Sequence, residues 1–61
     1  MNGKEIIKIL KKENWKIARV RGSHHLLSNG DKTVSVPVHG KKDIGIGLLR
    51  AIEKQTGVKL I

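Results

Sequence analysis

The chain has 61 residues, enough for one small domain, which we expect to span residues 1–61. It contains no cysteine, which excludes disulfides and thiolate zinc sites. It also lacks a signal-peptide pattern and any apolar stretch near the roughly 20 residues that span a membrane. We therefore expect a soluble, intracellular domain without a membrane partner. The formal net charge of +8, from 13 Lys and Arg against five Asp and Glu, favours a polyanionic partner over solubility alone.

The first predicted element is a helix. Asn2 is a good N-cap and Glu5 follows three places later, as in a capping box. An apolar stripe at helical spacing then consists of Ile6, Ile7, Ile9 and Leu10. Asn14 is the predicted end of this helix.

Three strands are predicted next. Residues 15–21 alternate, with Trp15, Ile17 and Arg19 on one side and Lys16, Ala18 and Val20 on the other. Gly22-Ser23 forms a short turn before a second strand over residues 24–28. Asn29-Gly30-Asp31 is a strong hairpin signal, because Asn and Gly adopt positive φ at low cost. The valines at 34, 36 and 38 predict a third strand over residues 33–38. Pro37 cannot donate a ladder hydrogen bond, so it indicates that this strand lies at an edge of the sheet or that the strand ends near Pro37.

A loop rich in glycine and lysine leads to a second helix, from Ile46 or Gly47 to Thr56, that ends at Gly57. Its predicted inner stripe consists of Leu48, Leu49, Ile52 and Ala51. The residues after Gly57 are expected to pack back on the core. The order α-β-β-β-α predicts an α+β two-layer sandwich, with a three-stranded antiparallel sheet, both helices on one face and the other face open.

Two adjacent histidines, His24 and His25, open the second strand. Neighbouring side chains on a strand point to opposite faces, so the pair cannot share one task. This geometry argues against a metal site built with His39, because zinc needs three or four converging ligands. One histidine can act as a general acid or base, since imidazole titrates near neutral pH. The alternative is that both histidines are ordinary strand residues.

Several cations and a turn surround this pair. The Gly22-Ser23 turn can offer backbone N–H groups and a hydroxyl to an anion, and Arg19 and Arg21 can hold phosphate. Lys41 and Lys42, before the second helix, either bind phosphate at the helix N-terminus or form a solvated loop. No nucleotide-binding fingerprint is present, and Trp15 is the only aromatic residue. Recognition of RNA would therefore use backbone phosphate and shape rather than base stacking.

The segment GSHH after a basic strand, followed by VPVHGKKDIGIGLLRAI and a final QTGV, resembles the HicA toxin family of bacterial and archaeal toxin–antitoxin systems. The resemblance covers nearly the whole chain. It implies a fold similar to double-stranded RNA-binding domains, a ribosome-independent endoribonuclease activity on mRNA, and neutralisation by a HicB-like antitoxin. It also makes His24 the catalytic histidine and leaves His25 structural or accessory.

What the resemblance implies chemically is cleavage without a metal or other cofactor. The 2′-OH of RNA attacks the adjacent phosphate, with His24 as the base or as the acid. Gly22, Ser23, Arg19, Arg21, Lys41 and Lys42 would bind substrate and offset developing charge. A non-catalytic RNA-binding module and a protein-interaction domain remain alternatives. An antitoxin for so basic a chain is expected to present a negative patch over His24.

Overall fold

A computed structural model describes all residues, 1–61. The elements in chain order are α1 (Gly3–Lys12), β1 (Lys16–Arg21), β2 (His24–Ser28), β3 (Thr33–Pro37) and α2 (Ile46–Thr56). The three strands form one antiparallel sheet in the order β1-β2-β3. The predicted α+β class and the α-β-β-β-α order are confirmed. Neither helix combines the length and the apolar character that crossing a membrane requires.

Helix α1 begins with the predicted capping box. The Asn2 side chain accepts a hydrogen bond from the backbone N–H of Glu5, and the Glu5 carboxylate accepts one from the N–H of Asn2, both 2.9 Å long. These bonds satisfy two N–H groups that a helix leaves unpaired at its start. The helix ends at Lys12, two residues before the predicted end, and Asn14 adopts a positive φ of 69°. Asn tolerates this conformation better than most residues, so the chain can turn into β1 there.

The first turn of α1 is held against the end of β3. Gly3 is buried, and a Cβ atom at this position would lie 2.9 Å from Val38 Cγ2 and closer still to the Pro37 carbonyl oxygen. Only glycine allows so close an approach of two backbones. Nearby, the N–H of Ile44 donates a 2.8 Å hydrogen bond to the Met1 carbonyl. These contacts fix both ends of the loop that joins β3 to α2.

Strand β1 contains an irregularity that the sequence pattern did not predict. Ile17 pairs with Leu27, but Arg19, rather than Ala18, pairs with Leu26. The extra residue at Ala18 is a β-bulge, which changes the faces of the residues that follow it. Ile17 and Val20 therefore share the face of Leu27 and His25, whereas Arg19 and Arg21 lie on the opposite face. The predicted grouping of Ile17 with Arg19, and of Ala18 with Val20, is wrong.

The core lies between the two helices and strands β2 and β3. Its ten members are Ile6, Ile7, Leu10, Trp15, Leu27, Val34, Val36, Leu49, Ile52 and Leu60. Both helices contact the sheet mainly through β3, and every residue of β1 is exposed. Pro37 lies on an edge strand, as predicted. Leu48 was expected in the inner stripe of α2, but it is 41% exposed because it faces the loop before the helix rather than the sheet.

A carboxylate on α2 holds the residues that follow the helix. Gly57 ends α2 with a left-handed φ of 73°. The Glu53 carboxylate then accepts hydrogen bonds from the backbone N–H groups of Leu60 (2.6 Å) and Ile61 (3.0 Å). Leu60 is thereby placed in the core, where only 7% of it is exposed. The expected packing of this segment on the core is confirmed for Leu60.

Glu53→Gln is expected to lower thermal stability near neutral pH and to weaken its dependence on acid. Hydrogen bonds from the backbone N–H of Ile61 and then of Leu60 lower the pKa of Glu53 below 4.5. Desolvation raises this pKa, and the positive charges of Arg50 and Lys59 lower it by smaller amounts. A lowered folded-state pKa gives stability that is present above the unfolded value and is lost as pH falls through the folded value. Thermal unfolding followed by circular dichroism, from neutral pH to below 4.5, measures this change.

Glu13→Gln is the matched control, because Glu13 is an exposed residue that ends α1 through its backbone N–H, while its carboxylate holds no other segment. It removes the same charge at a carboxylate that accepts no backbone hydrogen bond, whereas Glu53→Gln replaces the charged acceptor of two such bonds with a neutral and weaker one. Identical acid dependence in the Glu53 variant and in the unmodified protein would contradict the role given to Glu53.

Candidate active site

His24 is the first residue of β2, the central strand, and it is exposed. It pairs with Arg21 on β1 and with Pro37 on β3. Directly opposite residues of an antiparallel pair project to the same face. His24 therefore stands on the sheet face away from the helices, between one arginine and one proline, and it is open to a large substrate.

The turn before His24 fixes the backbone at this position. Gly22 has a φ of +57°, which favours glycine, and Gly22-Ser23 reverses the chain between β1 and β2. The Ser23 carbonyl accepts a 2.6 Å hydrogen bond from the N–H of Val38. This bond extends the pairing of β2 with β3 by one position beyond His24 and Pro37. His24 is thus held on both sides although it begins the strand.

The two predicted arginines lie on the same face as His24. Arg21 is directly opposite His24, which corresponds to a Cβ–Cβ separation of about 4.5–5.5 Å. Arg19 is opposite Leu26, two residues further along the same face, and both arginines are exposed. This arrangement depends on the bulge at Ala18, which turns Arg19 away from the face that carries Ile17. The open face therefore carries a cationic strip beside an imidazole, which suits a phosphodiester.

His25 points to the other face of the sheet. It pairs with Val36, which is fully buried, and with Val20. Its Nδ1 atom is buried and has no hydrogen-bond partner. The prediction that the two histidines face opposite sides is confirmed. No group of three histidine, aspartate or glutamate side chains is close enough to hold a metal ion.

A small cavity adjoins His24 on its β3 side. Its volume is about 190 Å³, and its lining consists of Pro37, His39, Lys42, Asp43, Ile44, Gly45 and Leu48. Pro37 is the residue opposite His24, so one residue of the lining is a direct neighbour of the histidine. The structure separates the two predicted lysines: Lys42 lines the cavity, whereas Lys41 is exposed in the turn outside it. Gly45 is the N-cap of α2 and makes no side-chain capping bond.

The sequence left His39 without a definite place, although the pattern contained a signal. Pro37 and His39 are two residues apart at the end of a strand, so alternation puts them on one face. The hairpin at Asn29-Gly30 then brings Pro37 opposite His24. Trp15, in contrast, is only 2% exposed and belongs to the core. Because the chain contains no tyrosine or phenylalanine either, no side chain of these three types is available to stack on a base.

The fold and the site together describe a small basic α+β domain with an exposed histidine among cations on its open sheet face. The sequence model of the HicA toxins of bacterial toxin–antitoxin systems matches residues 3–58. A probable mRNA interferase HicA from Pseudomonas fluorescens (strain Pf0-1) is 36% identical over 59 residues, which cover 97% of this chain and 98% of the relative. The chain belongs to the HicA toxin family, and it is a toxin of a toxin–antitoxin system. The resemblance predicted from the GSHH and VPVH segments is confirmed.

Proposed function

We propose that this toxin is an endoribonuclease that cleaves mRNA in the cytoplasm, with His24 as its catalytic residue and no metal or other cofactor. The observation that carries the proposal is the exposure of His24 on the open sheet face, directly opposite Arg21. The name of the Pseudomonas relative, a probable mRNA interferase, supports an RNA substrate. The net charge of +8 supports it independently, since phosphate contacts dominate affinity for nucleic acids.

The chemistry uses a nucleophile that RNA itself supplies. His24 moves a proton while a ribose 2′-oxygen attacks the adjacent phosphorus. The products are a 2′,3′-cyclic phosphate and a 5′-hydroxyl. Charge develops on the non-bridging oxygens during this step, and Arg21 and Arg19 lie on the face where they can offset it. The Gly22-Ser23 turn adjoins the same phosphate, while Lys41 and Lys42 extend the positive surface along the RNA.

We also propose that a HicB-like antitoxin neutralises the toxin by covering His24 with an acidic patch. An exposed histidine on an open face can be blocked directly, and the positive field of the toxin would speed the encounter with such a partner. Complex formation would then protect His24 from solvent and would weaken as salt concentration rises. A complex in which His24 stays open to solvent would argue against direct blocking.

The test of the proposed activity is cleavage of a mapped RNA by the purified toxin in the presence of EDTA. We expect an upstream product that ends in a cyclic phosphate and a downstream product with a 5′-hydroxyl. A single 2′-deoxynucleotide immediately upstream of the mapped bond should block cleavage at that bond alone, because it removes the nucleophile. RNA binding without cleavage would instead identify a non-catalytic RNA-binding module, and cleavage of the 2′-deoxy substrate would rule out the mechanism.

A further inference from the structure

We propose that the cavity beside His24 binds the nucleotide on the 3′ side of the cleaved bond and that His39 is the general acid that protonates the leaving 5′-oxygen. The inference rests on the proposed endoribonuclease function. It assigns the second proton transfer to His39 and the role of general base to His24. It begins from the register of β2 and β3, which makes His39 a diagonal neighbour of His24 across the end of the two strands.

The register gives this placement directly. His24 is opposite Pro37, and the hydrogen bond from the Val38 N–H to the Ser23 carbonyl continues the ladder beyond that pair. His39 is then the next position on the face of Pro37, and both residues line the same cavity. Diagonal neighbours on adjacent antiparallel strands are separated by about 7–8 Å. Two imidazoles at this spacing can reach opposite oxygens of one phosphate group.

The cavity has room for one part of a nucleotide. Its volume of about 190 Å³ is below the roughly 300 Å³ at which drug-sized pockets begin, so it can hold a base or a ribose but not a longer segment. Pro37, Ile44 and Leu48 offer apolar contact, and the 41% exposure of Leu48 gives it a surface to cover. Lys42 can bind the next phosphate. Asp43 also lines the cavity, and its Oδ1 atom lies 3.4 Å from the amino group of Met1.

The two histidines account for both proton transfers of the reaction. His24 in its neutral form takes the proton of the 2′-hydroxyl as the 2′-oxygen forms its bond to phosphorus. The bond from phosphorus to the 5′-oxygen breaks, and protonated His39 gives its proton to that oxygen. The products are the cyclic phosphate and the 5′-hydroxyl, with His24 now protonated and His39 neutral. Proton exchange with water restores both groups, and no oxidant, reductant or metal enters the step.

The decisive experiment replaces the leaving oxygen. The substrate is an RNA in which the 5′-oxygen at the mapped cleavage site is exchanged for sulfur, because a thiolate leaves without protonation. We expect His39→Ala to slow cleavage of ordinary RNA by about 10²–10⁴-fold, the range for one general acid. We expect the sulfur substrate to restore that variant to within a few-fold of the unmodified toxin. His24→Ala should stay inactive on both substrates, because its defect is in the attack.

The outcomes separate this inference from the proposed function. If His24→Ala abolishes cleavage but His39→Ala cleaves ordinary RNA at the unmodified rate, the acid role is wrong and the nuclease remains. A His39→Ala defect that persists with the sulfur substrate also overturns the acid role, since it indicates a structural effect. If His24→Ala cleaves normally, the catalytic role of His24 in the proposed function is wrong, and absence of cleavage by the unmodified toxin would contradict the nuclease itself.

A second measurement tests the nucleotide subsite. Lys42→Ala should raise KM for an RNA that extends past the cleaved bond, but not for an RNA that ends one nucleotide after it and lacks the next phosphate. Lys12→Ala is the matched control, since Lys12 is an exposed lysine in the last turn of α1 and outside the cavity. Equal effects of the two substitutions on both substrates would contradict the subsite.

Discussion

His24→Ala is expected to reduce RNA cleavage by about 10²–10⁴-fold, the contribution of one positioned general base or acid, and to end growth arrest in cells that express the toxin. The imidazole is exposed on the sheet face opposite to the core, so its removal should change stability by about 0.5 kcal/mol or less. RNA binding should persist, since Arg19 and Arg21 remain on the same face. Cleavage of a mapped RNA by highly purified protein, with binding measured in parallel, gives the result.

The neighbouring histidine supplies a matched control. His25→Ala makes the same chemical change one residue away, on the face that packs toward the helices. We expect it to alter thermal stability while each folded molecule still cleaves RNA. If His25→Ala abolished cleavage in folded protein, or if His24→Ala left cleavage unchanged, the assignment of the two histidines to catalysis and structure would be wrong.

The limits of the secondary-structure pattern are clearest in β1. The alternation over residues 15–21 predicts an unbroken strand. A bulge at a residue such as Ala18 requires no particular amino acid, so the sequence does not mark its position. A signal was nevertheless present in the spacing of the apolar residues. Ile17 and Val20 are three positions apart, so they can share one face of a strand only if an extra residue lies between them. With regular alternation, Arg19 and Arg21 would still share one face of the strand. Ile17 and Val20, however, would lie on opposite faces.

The candidate site shows a second limit, which concerns contacts between distant segments. His24 could be named as a candidate because the GSHH segment is local and its resemblance is specific. The cavity was not, since it needs β3, the following loop and the first turn of α2 to meet. Their meeting depends on Gly3, whose missing side chain lets α1 approach Pro37 and Val38. No pattern in the loop itself, with its glycines and two lysines, distinguishes Lys42, which lines the cavity, from Lys41, which does not.

Leu27→Ala is expected to unfold most of the toxin at 37 °C. Leu27 is fully buried on β2, opposite Ile17 on β1 and Val34 on β3. Removing a buried leucine side chain costs about 2–5 kcal/mol, because transfer energy is lost and a cavity remains. A domain of this size obtains only about 3–5 kcal/mol from its core, so the loss approaches the whole. Urea denaturation followed by circular dichroism measures the free energy of unfolding.

Leu26→Ala is the matched control, because it shows how much stability is lost when a leucine outside the core is truncated. Leu26 is the adjacent residue of β2, half-buried on the open face opposite Arg19 and Ser35. The same atoms are deleted, but water can enter the space they leave, so we expect a loss well below that of Leu27→Ala. Equal losses for the two variants would show that the helices do not seal the inner face of β2. Leu27→Ala should also lose cleavage through unfolding, whereas His24→Ala should lose it with a cooperative unfolding transition intact, because one residue supports the sheet and the other acts on its surface.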